Sequence, residues 1–358
     1  MISVFCNGVQ MRGFSSVQVI RSLDQFCATY ALNAIPKNGA AWLPTFPEDE
    51  IEIREGDDAV VKGFNDECKP SFDSSGCSFL VSGREVNKDI VDCPSENLNF
   101  ENKKIDEIAR LICAEFDVVF DGASGADIGA PLEKFCGDAG SSAYENLLAA
   151  CRQRRCMPIT DGLGRVRLDG GKYSPAVVDL KQGVNVLSAV GNFSTKNRYR
   201  VYRVMASNDY SGKTFAEVTD DSTPRKRRWV MVDERWSTKE CCEDRAMWEA
   251  KHRQAVANAV SVVVDGWRQK AGGPLWVPGL IVRADIPSII GDAGEFLVNK
   301  VDYKFDLSGG ASVGLSLVDP NCYSPAPGFP EAKKKVRATK AKKDVWASIR
   351  AQTGSMLK

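Results

Sequence analysis

A single histidine, His252, serves a chain of 358 residues, and this already narrows the chemistry. A Ser-His-Asp arrangement would have to use that imidazole, yet no serine sits in a Gly-x-Ser-x-Gly turn. His252 lies in the charged helical stretch 250–253, where a solvated side chain is expected. Residues 122–129 (GASGADIG) are glycine-rich. They lack the Gly-x-Gly-x-x-Gly or Gly-x4-Gly-Lys-Ser/Thr spacing whose backbone amides cradle phosphate, so a loop is expected. Adjacent carboxylates occur at Asp57-Asp58, Asp220-Asp221 and Glu243-Asp244 and could in principle share general acid and base work. In a chain with 47 acidic residues such pairs arise by chance and face water, and Asp220-Asp221 beside Arg225 and Arg228 reads as a solvated charge run. Twelve cysteines show neither Cys-x-x-Cys pairs nor a Cys/His zinc spacing. Cys27, Cys77, Cys113 and Cys151 fall at apolar positions and are expected as reduced, buried thiols. The sequence therefore predicts no catalytic residue, no metal site and no cofactor.

What remains is binding. The whole chain carries 47 Lys+Arg and 47 Asp+Glu, so it has no overall bias towards nucleic acid. Residues 324–358, however, hold nine Lys/Arg against Glu331 and Asp344, which leaves an acidic body with a basic tail. Its composition predicts disorder in isolation. Lys333, Lys334, Lys335, Arg337, Lys340, Lys342 and Lys343 are candidate partner contacts. Val345, Trp346 and Ile349 could form one apolar face of a short helix once bound. Aromatics that could stack on bases are few there, with only Trp346 among or after the basic residues, so nucleic acid is a weaker expectation than a protein partner. No apolar run is long enough to span a membrane, and the first residues do not read as a signal peptide.

The elements that would position such contacts are mostly strands. Residues 1–98 show short alternating runs: 16–22, then Phe26, Ala28, Tyr30, Leu32 and Ala34 on one face, then Ile51 and Ile53. Residues 71–93 start as a hairpin in which Cys77, Phe79 and Val81 share one face and Gly76 supplies the turn. Residues 99–175 change to an α+β module. Ile105, Ile108, Leu111, Ile112 and Phe116 recur at helical spacing, and Ser142-x-x-Glu145 caps a second helix running to about Arg155. Residues 176–218 return to strand. Residues 238–264 read as a long helix whose β-branched end, 260–264, could instead be a strand. From Pro274 the β pattern resumes. Phe305-Asp306 before a Ser/Gly turn repeats Phe72-Asp73 before its own, which suggests an internal duplication. The expected fold is α+β and multidomain: two related antiparallel β-barrels plus two α/β modules, one inserted in the second barrel. The expected parts are 1–98 (first barrel), 99–175 (α+β), 176–218 with 274–323 (second barrel), 219–273 (insert) and 324–358 (tail).

Five short motifs in order carry a resemblance. Ser82-Gly83-Arg84-Glu85 followed by Asp89-Ile90-Val91-Asp92-Cys93 resembles a signature of Mu-like phage baseplate hub proteins, with Glu85 where that family usually has Asp. Asn7-Gly8 through Ser15-Ser16-Val17 and Arg21-Ser22-Leu23-Asp24 resembles the family's opening. Ala143 to Leu147, Arg152-Gln153-Arg154 and Thr160 to Gly164 resemble its middle module. Residues 246–253, then Val264 to Arg268 with Leu275-Trp276, resemble its inserted module. The likeness spans roughly residues 1–323. It implies a structural hub of a contractile tail, related to the hub part of type VI secretion spikes. It further implies a homotrimer forming a pseudo-six-fold ring. The implied partners are the tail tube and the central spike; other baseplate proteins are further expected partners, and the tape measure protein is the alternative to the spike as the contact of the basic tail. The place implied is the virion baseplate, after assembly in the host cytoplasm. The competing readings are a cell-wall-degrading tail enzyme and a nucleic-acid binder acting through the basic tail.

Overall fold

The computed structural model describes residues 1–34, 45–74, 76–124, 131–152, 156–173, 178–206, 211–233, 239–320 and 322–323. The expected tail contacts, Lys333 to Ile349, lie outside the described residues.

The first part is all strand: β1 (Ile2–Cys6), β2 (Val9–Met11), β3 (Phe14–Ser22), β4 (Thr29–Ala34), β5 (Glu50–Glu55), β6 (Asp58–Asp73) and β7 (Gly76–Glu85). Alternation sets the faces, because successive side chains point to opposite sides of a strand. Tyr30, Leu32 and Ala34 of β4, Ile51 and Ile53 of β5, and Phe79 and Val81 of β7 are buried, whereas Leu80 is 42% exposed. Cys77 departs from the expectation and is exposed, because β6 and β7 run on past the core to their turn. Phe72 there is 86% exposed.

A second layer follows: α1 (Lys88–Asp92), β8 (Asn99–Lys103), α2 (Ile105–Glu115), β9 (Val119–Ser124), β10 (Leu132–Cys136), α3 (Ala143–Arg152), β11 (Met157–Thr160) and β12 (Arg165–Asp169). In α2, Ile105, Ile108 and Ile112 are buried as the spacing predicts, but Leu111 is 42% exposed because it lies on the outer face. The capping box of α3 forms: the Ser142 amide donates to Glu145 at 2.9 Å and the Glu145 amide to Ser142 Oγ at 3.2 Å. These helices share one core with Phe26, Cys27 and Ile90. Removing the Ile90 side chain from it should cost about 2–5 kcal/mol.

The remaining elements are β13 (Val178–Lys181), β14 (Val186–Phe193), β15 (Val201–Ala206), β16 (Phe215–Thr219), β17 (Arg228–Asp233), α4 (Lys239–Val256), β18 (Asn258–Asp265), β19 (Ile281–Asp285), α5 (Pro287–Ile290), β20 (Gly294–Asp306) and β21 (Gly310–Val318). One sheet runs β14-β18-β21-β20-β3-β4-β7-β6-β5-β1-β2, with β19 and β13 joined at β20. The N-terminal strands therefore join the later ones through β3 and β20, from Lys300 opposite Ser22 to Asp306 opposite Ser16.

Two expected boundaries move. β15 and β16, expected in the second barrel, pair instead with β17 in a separate three-stranded sheet. α4 packs on that sheet, with Cys242 and Ala246 against Val204 and Ala216. β18, expected within the insert, pairs with β14 and β21 of the large sheet. Its alternating Val260, Val262 and Val264 are buried in the main core. β-branched side chains favour that pleated surface over a helix, and α4 stops at Val256.

Candidate functional site

The resemblance-bearing residues Gly83 to Cys93 sit where the large sheet meets the helical layer. At Gly83 a Cβ would lie 2.3 Å from both Phe64 O and Tyr30 Oη, so only glycine lets β7 pass there. Arg84 forks between two carboxylates, donating to Asp66 at 2.7 and 3.2 Å and to Asp92 at 2.8 and 2.6 Å. Lys88 adds bonds to Glu48 at 3.0 Å and Asp66 at 3.1 Å. Arg84 thus holds the C-terminal end of α1 to β6, and its bonds keep Asp92 ionised below the ordinary carboxylate range. Asp66 is also held low: burial works against its charge, but Arg84 and Lys88 outweigh it.

Glu85 turns inward and is fully buried. Its carboxylate accepts the Ala28 amide at 3.0 Å, the Thr160 hydroxyl at 2.6 Å and the Gly164 amide at 2.9 Å. Burial nevertheless raises its pKa above the ordinary 4.5. The three donors come from the start of β4 and from the hairpin between β11 and β12, so this one side chain joins the sheet to the α+β layer. Compared with an Asp at this position, Glu85 places one more methylene at the junction between layers.

A second junction closes the far end. Tyr323 Oη donates to Asp24 at 2.5 Å and lies 2.9 Å from Asn299 Oδ1, while Asn299 Nδ2 donates to Asp24 at 2.9 Å. His252 is part of it rather than solvated as expected. Its ring stacks on Trp248 at 4.7 Å, and Nδ1 lies 3.4 Å from Cys322 Sγ. Burial pushes the imidazole pKa below its ordinary value and the Cys322 thiol well above its own. A buried, protonated thiol is a poor nucleophile.

The carboxylate pairs also resolve. Asp220 is not solvated: it bonds Arg198 at 2.7 Å, with both side chains under a tenth exposed. Asp221 faces water beside Arg200 at 3.2 Å, and Asp58 pairs with Arg268 at 2.7 Å. Trp267 and Trp276 are core residues, with the Trp267 indole donating to Lys304 O at 2.9 Å. Among the described residues no cluster of His, Cys, Asp or Glu could hold a metal ion, and no helix is long and apolar enough to cross a membrane. Of residues 122–129, 125–129 lie outside the described residues, as does the side chain of Asp244. Sequence reasoning missed Thr160 as the partner of Glu85, because 75 positions separate them and nothing local marks the contact.

Three family models match in chain order. Residues 1–85 match the N-terminal part of Mu phage baseplate assembly protein GpP-like proteins. Residues 87–170 match the second domain of baseplate hub protein gp44-like proteins, and residues 237–326 match the fourth domain of Mu phage baseplate assembly protein GpP. The baseplate hub protein gp44 of Escherichia phage Mu is 24% identical, over 88% of this chain and 87% of that protein. The 43 kDa tail protein of prophage MuSo2 from Shewanella oneidensis superposes with a TM-score of 0.81 at 26% identity, over 90% of this chain and 98% of that one. The E. coli c3393 protein, a component of the type VI secretion system, superposes with a TM-score of 0.56 at 10% identity, over 90% of this chain and 78% of that one, which shows a shared fold. With its signature residues placed at the junctions and three domain models of this family matched in chain order over residues 1–85, 87–170 and 237–326, the chain belongs to the Mu-like phage baseplate hub proteins.

Proposed function

We propose that this structural baseplate hub acts as a symmetry adaptor in a contractile tail. Three copies form a ring. In each copy, β1–β7 form one barrel-like unit, and β13, β14 and β18–β21 form a related second one. Six similar units then face a hexameric tail tube. The α+β layer and the β15–β17 sheet with α4 stay three-fold and hold a trimeric central spike. The mechanism is binding without turnover, and a closed ring covers strand edges that would otherwise invite aggregation.

The observation that carries this reading is a pair of hairpins that share a Phe-Asp lead-in, one turning over two residues and the other over three. β6 and β7 close with Asp73 opposite Gly76, and β20 and β21 close with Asp306 opposite Gly310. Both turn glycines have positive φ, +144° and +76°. Each hairpin follows Phe-Asp with a Ser/Gly turn, and both lie in one sheet. A duplicated unit gives the same chain two similar docking faces.

Native mass measurement of the purified hub, alone and with its spike, tests the subunit number; a stable dimer or tetramer overturns the reading. The basic segment, Lys333 to Ile349, contacts a protein partner, the spike or the tape measure protein. Deleting residues 330–358 should impair attachment of that partner, and unchanged assembly contradicts it. Clearing on a peptidoglycan zymogram would instead favour a wall-degrading enzyme. Steeply salt-dependent DNA binding would favour a nucleic-acid role.

A further inference from the structure

The strand order of the large sheet repeats itself: it runs β14-β18-β21-β20 and then β3-β4-β7-β6. The irregularities repeat with it. β14 shifts register against β18 between Val186 and Ser188, as β3 does against β4 between Phe14 and Ser16. β20 shifts against β21 between Val298 and Lys300, as β6 does against β7 between Asn65 and Glu67. Bulges at matching places make Val186 the counterpart of Phe14 and Phe72 the counterpart of Phe305. The first half of β20 is flanked by β19, and the first half of β6 by β5. The second half of β20 pairs with β3, and there Phe305 is half-buried, with the Phe14 ring at 5.9 Å. The second half of β6 lacks that neighbour. Among the described residues, 66–73 pair with β7 alone, and Phe72 is 86% exposed. β14 begins the sheet order, so among the described residues no strand lies on its side away from β18. Its Leu187 and Val190 are exposed.

We propose that the open second half of β6 pairs antiparallel with β14 of a second copy, repeating between chains the β20–β3 junction that each chain holds within itself. This rests on the ring reading and names its interface. Carrying the register across the repeat sets Phe72 opposite Ala189, Ser71 opposite Val190 and Pro70 opposite Gly191 of the second copy. Phe305, Lys304 and Tyr303 stand in the same way opposite Val17, Gln18 and Val19. Phe72 then packs on Val186 of the second copy, in the place Phe14 takes beside Phe305. The pairing removes an exposed aromatic ring from water and occupies two strand edges that otherwise invite aggregation. Pro70 has no N–H to give, so the ladder loses one bond there. The contact is heterologous, β6 of one chain to β14 of the next, and such contacts leave no loose edge only when a ring closes.

Cysteine crosslinking of the full-length protein tests it. Ser71 and Val190 are both exposed, so cysteines there leave the fold intact. Residues directly opposite across an antiparallel pair lie about 4.5–5.5 Å apart at Cα, within disulfide reach. The Ser71→Cys/Val190→Cys protein is oxidised with copper phenanthroline, run on a non-reducing gel and mapped by peptides, with native mass spectrometry on the same sample. The expected result is a 71–190 disulfide between chains, giving covalent trimers that neither single variant gives. An equal mixture of the two single variants should give dimers only. Gln18→Cys/Lys304→Cys, the matching pair inside one chain, should close without joining chains. A native trimer that lacks the 71–190 disulfide while the 18–304 pair closes overturns this junction and leaves the ring standing. The disulfide in an assembly of another subunit number upholds the junction and overturns the three-fold ring. Absence of both trimer and disulfide overturns both.

Discussion

Thr160 Oγ1 lies 2.6 Å from the Glu85 carboxylate and 2.8 Å from the carbonyl of Phe26, so the hydroxyl sits between the last residue of β7 and the approach to β4 and gives its single proton to one acceptor at a time. Every other group on the Glu85 carboxylate is a backbone N–H donor. Glu85→Gln turns an amide NH₂ towards those donors and should cost about 1–3 kcal/mol, since a buried donor is left unpaired. Thr160→Val should cost about 1–2 kcal/mol. The two share a partner, so their combination should fall short of additivity. Urea denaturation of both single variants and the double variant checks this; strict additivity would mean the contact carries no coupling.

The Arg84 fork is different in kind, being about three-tenths exposed with Asp92 at 47%. Solvent screening keeps such pairs small. Arg84→Lys, which keeps the charge but loses the planar fork, should cost about 1 kcal/mol, and less in high salt. Thermal melts at low and high ionic strength give the comparison.

His252 should make stability fall in acid. Its pKa is lowered by burial, opposed by Asp24 and Glu249 and reinforced by Arg253, and Cys322 and Tyr323 face it from the chain's last described turn. Folding favours the neutral ring. That contribution is fully present above its ordinary pKa of 6.5 and is lost as pH falls through the lower folded value. Asp66, Asp92 and Asp220 are also held low, but their contributions are lost only below about pH 4. Glu85 has the opposite sign: its raised pKa favours the protonated fold, and that contribution is lost as pH rises through the folded value. His252→Gln should therefore shrink the stability difference between about pH 7.5 and about pH 5.5, measured by urea midpoints.

Thiol labelling should sort the cysteines by burial. Cys77, Cys93 and Cys136 are exposed, while Cys27, Cys113, Cys151, Cys156, Cys242 and Cys322 are buried. The first three should react with a maleimide in the native protein and the other six only on unfolding, as peptide mapping would show. Burial raises Cys113 to about 12, so its thiolate is scarce as well as shielded.

How much of this was legible in the sequence follows from range. Period-two runs at Ile51, Ile53, Phe79 and Val81 and the Ser142–Glu145 cap are local, and they appear where the spacing predicts. The end of α4 was ambiguous because a helical run flows straight into Ala259–Val264, and only pairing with β14 and β21 decides it. His252 looked solvated because its own helix is charged; Trp248 covers it from one turn away and Cys322 and Tyr323 from 70 residues on. Asp220 looked like part of a surface run, yet Arg198, across the β15–β16 hairpin, buries it. Arg84 and Glu85 were read as a signature; that they face opposite sides, one binding α1 and one binding β11–β12, is a consequence of strand alternation that needed the partners to be seen.

The central claim is that three chains imitate six. Electron cryomicroscopy of the hub bound to tail tube, viewed down the tail axis, tests it most directly. The expected map has three chains per ring and a collar of six similar units, with the β6–β7 and β20–β21 hairpins in equivalent positions against the tube. A ring with a different number of chains, or a collar in which those two hairpins occupy unlike positions, contradicts the account.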